Sequence, residues 1–222
     1  MIRTVTFDAA NTLIRLSAPV GQTYAAVALR FGAVLDPLRL DGAFRQAWQE
    51  LPPLPDQNGP RLDDGRSWWR DAVATTLAIA DCRVAAFPDY FAAVYEEFTR
   101  PGIWQLMPGV ADLLAALTQA GLRLGVVSNF DRRLYTILHT LGLLNQFEHV
   151  IVSSEIGADK PSPRIFEEIV RRFQVKPNEV LHVGDEEETD GAGARAAEMS
   201  AFVLGKDGDW QQLRATLLSS SH

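Results

Sequence analysis

Lysine is nearly missing from this sequence: Lys160, Lys176 and Lys206 are the whole supply, and none stands before position 160. The rest of the positive charge is arginine, and 21 basic against 28 acidic residues leave a formal net charge of -7. A nucleic-acid surface needs clustered cations, so this balance argues against one. Cysteine is scarcer still. Cys82 stands alone, which excludes an intrachain disulfide and makes a reducing cytoplasm the expected compartment. No stretch reaches the ~18 consecutive apolar residues of a membrane span. Met1 runs within a few residues into a strand pattern, leaving no room for a signal peptide. The expectation is a cytoplasmic protein with no membrane or nucleic-acid partner.

What is present suffices for a globular chain. With 222 residues and 47% apolar content, it fits one α/β domain with an insertion, or two small domains. Short apolar runs without alternation stand at 2–7 (IRTVTF), 122–127, 150–152, 180–183 and 201–204; strands buried on both faces read this way. Helical patterns separate the later runs, at 110–120, 132–141, 163–173 and 187–198. Strand alternating with helix predicts an α/β fold with a Rossmann-like, doubly wound parallel sheet. Residues 15–105 break that rhythm. They hold helical stretches near 19–31, 36–50, 67–80 and 88–99, no strand pattern, and a Pro/Gly-rich loop at 51–65. The expected domains are therefore a core from 1–14 and 106–222 and an inserted all-helical domain at 15–105. Trp48, Trp68, Trp69 and Trp104 fall in that insert or at its exit and are expected to form its core.

Ligands of such sheets bind beyond the carboxyl ends of the strands. Four polar features recur there in order: Asp8 with Thr12, Ser128 with Asn129, Lys160, and Asp185 with Asp190. Each has a plain structural alternative. Asp8 can cap a turn, Ser128-Asn129 can start a helix, and Lys160 can be a solvated loop residue. The acidic run from Asp185 to Glu188 can favour a helix N-terminus. Their joint order at successive strand ends argues instead for one site. A carboxylate that attacks an electrophile splits one hard step into two. A transferred phosphoryl group needs positive charge and donors around its oxygens. Lys160 supplies the charge, and the Ser128 hydroxyl with the amides near residues 9–12 and Asn129 supplies donors. Nucleophile and phosphate are both anions, and Asp8 and Asp185, with a backbone carbonyl and waters, form the sparse oxygen shell that Mg²⁺ prefers.

The sequence resembles the haloacid dehalogenase-like superfamily in F-D-x-x-N-T-L at 7–13, S-N at 128–129, K-P at 160–161 and G-D-x-x-x-x-D-x-x-G-A at 184–194. The place of the insert resembles its helical-cap class. More narrowly, F-R-Q-A-W (44–48), S-W-W (67–69), W-Q (104–105) and S-N-F-D-R-R-L (128–134) look like the group of haloacid dehalogenase-like hydrolase domain-containing protein 3. The resemblance implies Asp8 as nucleophile, with Ser128 and Lys160 binding phosphate and Thr12 and Asn129 beside the substrate. It also implies Mg²⁺ held by Asp8, the carbonyl oxygen of Ala10 and Asp185, with Asp190 as an indirect or water-mediated ligand.

One position departs from the family pattern. Phosphatases of the superfamily carry a second Asp two residues after the nucleophile, and here that residue is Ala10. A methyl group moves no proton, and general acid/base catalysis is worth roughly 10²–10⁴-fold. The metal site survives on paper, because residue 10 lends only its backbone oxygen. One reading is a phosphatase of small phosphorylated molecules, restricted to good leaving groups or borrowing an acid/base from Glu50, Asp63 or Asp64. Phosphonate cleavage through a Schiff-base lysine is excluded, since residues 1–159 hold no lysine. A metal-independent 2-haloacid dehalogenase is disfavoured by the acidic pair Asp185 and Asp190, which would repel a haloacid anion. A phosphate- and Mg²⁺-binding protein without turnover stays open. Composition decides neither substrate nor oligomeric state.

Overall fold

A computed structural model describes residues 1–205 and 210–218. Seven strands, β1 (Thr4–Phe7), β2 (Ile14–Leu16), β3 (Trp104–Leu106), β4 (Arg123–Ser128), β5 (His149–Val152), β6 (Val180–Gly184) and β7 (Ser200–Val203), alternate with helices. The helices are α1 (Val20–Leu29), α2 (Pro37–Glu50), α3 (Arg66–Ile79), α4 (Phe87–Glu97), α5 (Val110–Gln119), α6 (Arg133–Thr140), α7 (Ser153–Ile156), α8 (Pro163–Phe173), α9 (Gly193–Ala196) and α10 (Trp210–Leu218). The chain divides into two compact units. One comprises Met1–Arg15, Asp56–Arg61 and Leu106–His222; the other comprises Leu16–Pro55 and Leu62–Gln105.

The first unit is an α/β fold around a five-stranded sheet in the order β5-β4-β1-β6-β7. Every pairing in it is parallel, with Phe7 level with Val126 on one side and Val183 on the other. The central strands are buried along their whole length and carry no charged carboxylate or lysine, with Thr4, Thr6 and His182 as their buried polar side chains. From β1 the chain crosses to β4 and β5, then returns past β1 to β6 and β7. Right-handed crossovers in opposite directions put helices on both faces, and the direction reverses between β1 and β6. A doubly wound sheet opens its ligand crevice at such a reversal, so Asp8, one residue beyond β1, and Asp185, one beyond β6, stand at its mouth. Beneath them lies a core of Val127, Ile151, Ile165, Phe166, Ile169 and Phe173. Ile151 comes from β5 and the last four from α8, whose apolar residues recur on one face.

The second unit is helical and has its own core. Leu40, Val73, Leu77, Tyr90, Phe91 and Val94 are buried around Tyr24, whose carbonyl accepts from the Tyr90 hydroxyl at 3.1 Å. Local chemistry sets the helix starts: Asp36 accepts from the Leu38 amide at 2.9 Å ahead of Pro37 at the first position of α2. Of the tryptophans expected to build this core, Trp69 packs against it from a partly buried position. Trp48, Trp68 and Trp69 form their own cluster with ring centroids 5.1–5.9 Å apart, and Trp48 stays 52% exposed. Three large amphipathic rings on the ends of neighbouring helices cover the core's margin, while the smaller Leu, Val and Tyr side chains fill it.

Two expectations fail. Residues Ile14–Leu16 and Trp104–Leu106 pair as a two-stranded sheet, and runs of three residues carry no readable period. The helix expected at 187–198 is instead a π-helical turn, Glu187–Ala192, followed by the single turn α9. The Gly191 amide reaches back five residues to the Glu186 carbonyl at 3.2 Å, the wider ring of a π turn. Such turns concentrate at functional sites, and this one carries Asp190.

Candidate active site

The site grows from the ends of β1, β4 and β6. After β1 the chain turns sharply: the Ala9 carbonyl accepts from the amides of Leu13 (2.9 Å) and Ile14 (3.0 Å), and the Asn11 amide donates to the Ile14 carbonyl at 2.7 Å. Asn11 sits at φ 60°, a left-handed conformation that asparagine tolerates better than most residues. Among the described residues, the amides of Ala10 and Thr12 take no backbone partner in this turn.

Lys160 joins the motifs. Its ammonium donates to Asp8 Oδ1 at 2.6 Å and to Asp190 Oδ1 at 2.5 Å, and all three side chains are buried. Burial alone would depress a lysine, but the Asp8 and Asp190 carboxylates outweigh it and hold the Lys160 pKa above its ordinary value. Burial also works to raise the Asp190 pKa. The hydrogen bond from His182 and the charge of Lys160 outweigh that, so the carboxyl lies well below its ordinary range.

Asn129 positions the lysine's backbone. Its amide donates to the Lys160 carbonyl at 2.9 Å and its carbonyl oxygen accepts the Lys160 amide at 2.6 Å. The Asn129 side chain is thus tied to the Lys160 backbone through both its nitrogen and its oxygen. Ser128, at the end of β4, is 2% exposed.

Asp185 is different in kind. Half-buried, it has its pKa pushed up to about 6, first by desolvation and then by the charges of Asp8 and Asp190, with the Thr12 hydroxyl pulling the other way. Thr12 Oγ1 donates to Asp185 Oδ1 at 3.3 Å. A carboxylate forced upward by neighbouring anions marks a place where negative charge exceeds what the protein neutralises. Among the described residues no three His, Cys, Asp or Glu side chains are grouped to enclose a cation. A divalent ion here would rest on Asp8, Asp185, backbone oxygen and water, and Mg²⁺ accepts such a sparse hard shell. Asp190 points elsewhere: Oδ1 is taken by Lys160 and His182, and Oδ2 accepts from the Glu186 amide at 3.2 Å. Gly184 makes this approach possible, because a Cβ there would lie 2.1 Å from the Asp190 carboxyl carbon.

The first unit thus brings together Asp8, Thr12, Asn129, Lys160, Asp185 and Asp190, with Ser128 at the neighbouring strand end. Sequence reasoning passed over His182, which is completely buried and bonded to Asp190. Its signal was a lone histidine inside an apolar strand two residues before Gly184. Of the candidate acid/base residues in the second unit, Asp63 is committed to the start of α3. It accepts from the amides of Gly65 (3.1 Å) and Ser67 (2.8 Å), and hydrogen bonding led by Ser67 lowers its pKa. A carboxylate held ionised in this way is poorly placed to donate a proton.

The profile of the haloacid dehalogenase-like hydrolase family matches residues 2–198. Haloacid dehalogenase-like hydrolase domain-containing protein 3 of Mus musculus is 39% identical over 210 residues, which cover 91% of this chain and 82% of the mouse protein. Among solved structures, the L-2-haloacid dehalogenase of Xanthobacter autotrophicus matches with a TM-score of 0.71 at 24% identity, covering 100% of this chain and 84% of its own. A HAD phosphatase from Thermococcus onnurineus matches with a TM-score of 0.66 at 22% identity, covering 97% and 98%. At those identities both structures share the fold with this chain.

Proposed function

The chain belongs to the haloacid dehalogenase-like hydrolases, in the group of haloacid dehalogenase-like hydrolase domain-containing protein 3, and on that premise we propose that it is a Mg²⁺-dependent phosphatase of small phosphorylated molecules. The observation that carries this reading is the Lys160 ammonium, 2.6 Å from Asp8 Oδ1 and anchored on its far side by Asp190. A fixed cation beside a buried carboxylate is suited to receive a dianionic phosphoryl group next to its nucleophile.

An Asp8 oxygen attacks phosphorus, the bond to the leaving oxygen breaks, and an aspartyl-phosphate results. Lys160, the Ser128 hydroxyl and the amides of Ala10, Thr12 and Asn129 hold the phosphoryl oxygens. Asp8, Asp185 and the Ala10 carbonyl would hold Mg²⁺, which would supply the positive charge that lets two anions meet. With Ala10 in place of the family's Asp, nothing on this loop protonates the leaving oxygen or activates the hydrolytic water. Aryl and acyl phosphates, whose leaving groups depart without a proton, are the substrates that tolerate this. The Asp185 and Asp190 carboxylates weigh against a haloacid anion at the same place.

Ala10 also favours a second reading, a protein that binds phosphate and Mg²⁺ without turnover. One pair of variants separates them. Under the phosphatase reading, Asp8→Asn abolishes Mg²⁺-dependent hydrolysis of an aryl phosphate. Ala10→Asp raises turnover of an alkyl phosphate by on the order of 10²-fold or more, with a smaller gain on aryl phosphates. A folded, Mg²⁺-binding Ala10→Asp protein that gains nothing on any phosphoester overturns the phosphatase reading and leaves the binder.

A further inference from the structure

We propose that His182 is a positioning residue for the phosphate-binding cation: acting through Asp190, it keeps Lys160 suspended between two carboxylates instead of collapsed onto Asp8. The inference rests on the reading of Lys160 as the phosphate-binding cation and assigns a role to a residue outside the family motifs.

His182 lies in β6 opposite Thr6 of β1, one pair along from the strand ends. Thr6 Oγ1 is 3.0 Å from Nδ1, and Nε2 is 3.1 Å from Asp190 Oδ1. The ring has no exposure and packs edge-on against Phe166, centroids 5.4 Å apart at 85°. Only one neutral tautomer suits these partners. Nε2 faces a carboxylate and must carry the hydrogen, since a bare nitrogen would set lone pair against lone pair. Nδ1 then accepts the Thr6 hydroxyl hydrogen. Burial and the nearby Lys160 charge favour the neutral ring.

The consequence falls on Lys160. Asp190 Oδ1 receives hydrogen bonds from both His182 and Lys160, and Oδ2 receives the Glu186 amide. Three donors fix the carboxylate in one rotamer, and the ammonium finds a fixed anion on each side. Without the His182 donor, a buried carboxylate loses a partner it cannot replace with water. The carboxylate then keeps only the Lys160 and Glu186 donors and holds its rotamer less firmly, and the balance of the ammonium's two contacts shifts towards Asp8. That closed pair would hold the nucleophile and the cation together when both are needed by the incoming phosphoryl group.

The test uses the full-length protein, tungstate as a phosphoryl mimic and an aryl phosphate as substrate. His182→Phe keeps a ring against Phe166 and removes both nitrogens; His182→Gln returns a donor near Nε2. The expected result is a tenfold or greater loss of tungstate affinity in His182→Phe, with KM for the aryl phosphate raised in parallel, and recovery of most of both in His182→Gln. Unchanged tungstate affinity in a folded His182→Phe protein overturns the assignment, as does a His182→Gln protein that stays as weak as the Phe variant. Should His182→Phe fail to fold, Thr6→Val removes only the hydroxyl that fixes the ring and is read the same way. Tungstate binding is independent of turnover, so a binder without activity still shows the loss and rescue. In that outcome the phosphatase reading falls alone. No tungstate binding by the unaltered protein overturns both.

Discussion

Asp185 shows most directly how an individual residue in this site can cost the fold stability. Its pKa in the folded, metal-free chain is about 6 against an ordinary 3.8, so the native state holds that proton to higher pH than the unfolded chain does. By linkage, stability falls as pH rises between those values and the full penalty is present above them. Asp185→Asn removes the penalty. The variant should be more stable than the parent in metal-free buffer at pH 7.5, by on the order of 1 kcal/mol once solvent screening of the half-exposed side chain is allowed for. The difference should shrink as the pH is lowered towards 4. The parent is expected to rise in melting temperature with Mg²⁺, and the same substitution should remove most of that rise, because ligand stabilisation follows occupancy. Denaturation followed at several pH values, with and without Mg²⁺, checks both. A metal-free Asp185→Asn protein less stable than the parent at pH 7.5 would count against the anionic crowding described here.

Among the elements, the Pro/Gly-rich stretch at 51–65 has the most unexpected role. Its residues 56–61 pack with the first unit, against the loop that carries Lys160. The Gln57 amide donates to the Gly157 carbonyl (2.8 Å), the Arg61 amide to the Ser154 carbonyl (2.7 Å), and Ser162 Oγ to Asp56 Oδ2 (2.6 Å). The Arg61 guanidinium, almost wholly buried, grips Asp159 through both nitrogens at 3.0 and 3.4 Å. Gly157 admits this strap. Its φ is 75°, and a Cβ there would stand 2.1 Å from the Gly59 carbonyl oxygen. Asp159 directly precedes Lys160, so the strap braces the loop that presents Lys160 to Asp8. Arg61→Ala leaves Asp159 without its partner and should cost about 2 kcal/mol or more, in the range for broken, largely buried pairs. It should also raise hydrogen exchange across residues 153–162. Unaltered exchange there in Arg61→Ala would show that the strap braces nothing.

Among the described residues, the sheet unit holds a core around Phe166 and Ile151, and the helical unit holds its own around Tyr24 and Leu40. Trp48, Trp68, Trp69 and Trp104 all lie in the helical unit, and Trp210 alone lies in the sheet unit. Intrinsic fluorescence therefore follows mainly the helical unit, while the Mg²⁺ proposed to rest on Asp8 and Asp185 would act on the sheet unit that carries them. Two cores of this kind need not unfold as one cooperative step. The expected outcome is a Mg²⁺-dependent transition in far-UV circular dichroism that shifts more than the fluorescence transition does. Coincident transitions that shift equally would show that the two cores unfold together. At the same scale, no helix among the described residues is long and apolar enough to cross a membrane.

Much of this arrangement was legible in the sequence, for a physical reason. Strands buried on both faces must be continuously apolar, so their polar residues gather at the ends, where Asp8, Ser128 and Asp185 stand in order. Helix periods and caps such as Asp36-Pro37 are equally local, and the helices of the insert fell close to their expected limits. The partners of Lys160 were not legible as contacts, being 152 and 30 residues away in the chain. Nor was the pairing of His182 with Thr6, which depends on strand register. A π turn, a three-residue strand and a strap closed over Gly157 leave no period to count. Local chemistry in the sequence determined which residues could react and on which strands. Only the packing of β1, β6 and the Lys160 loop decided which charges meet, because register and loop docking are settled by burial far along the chain.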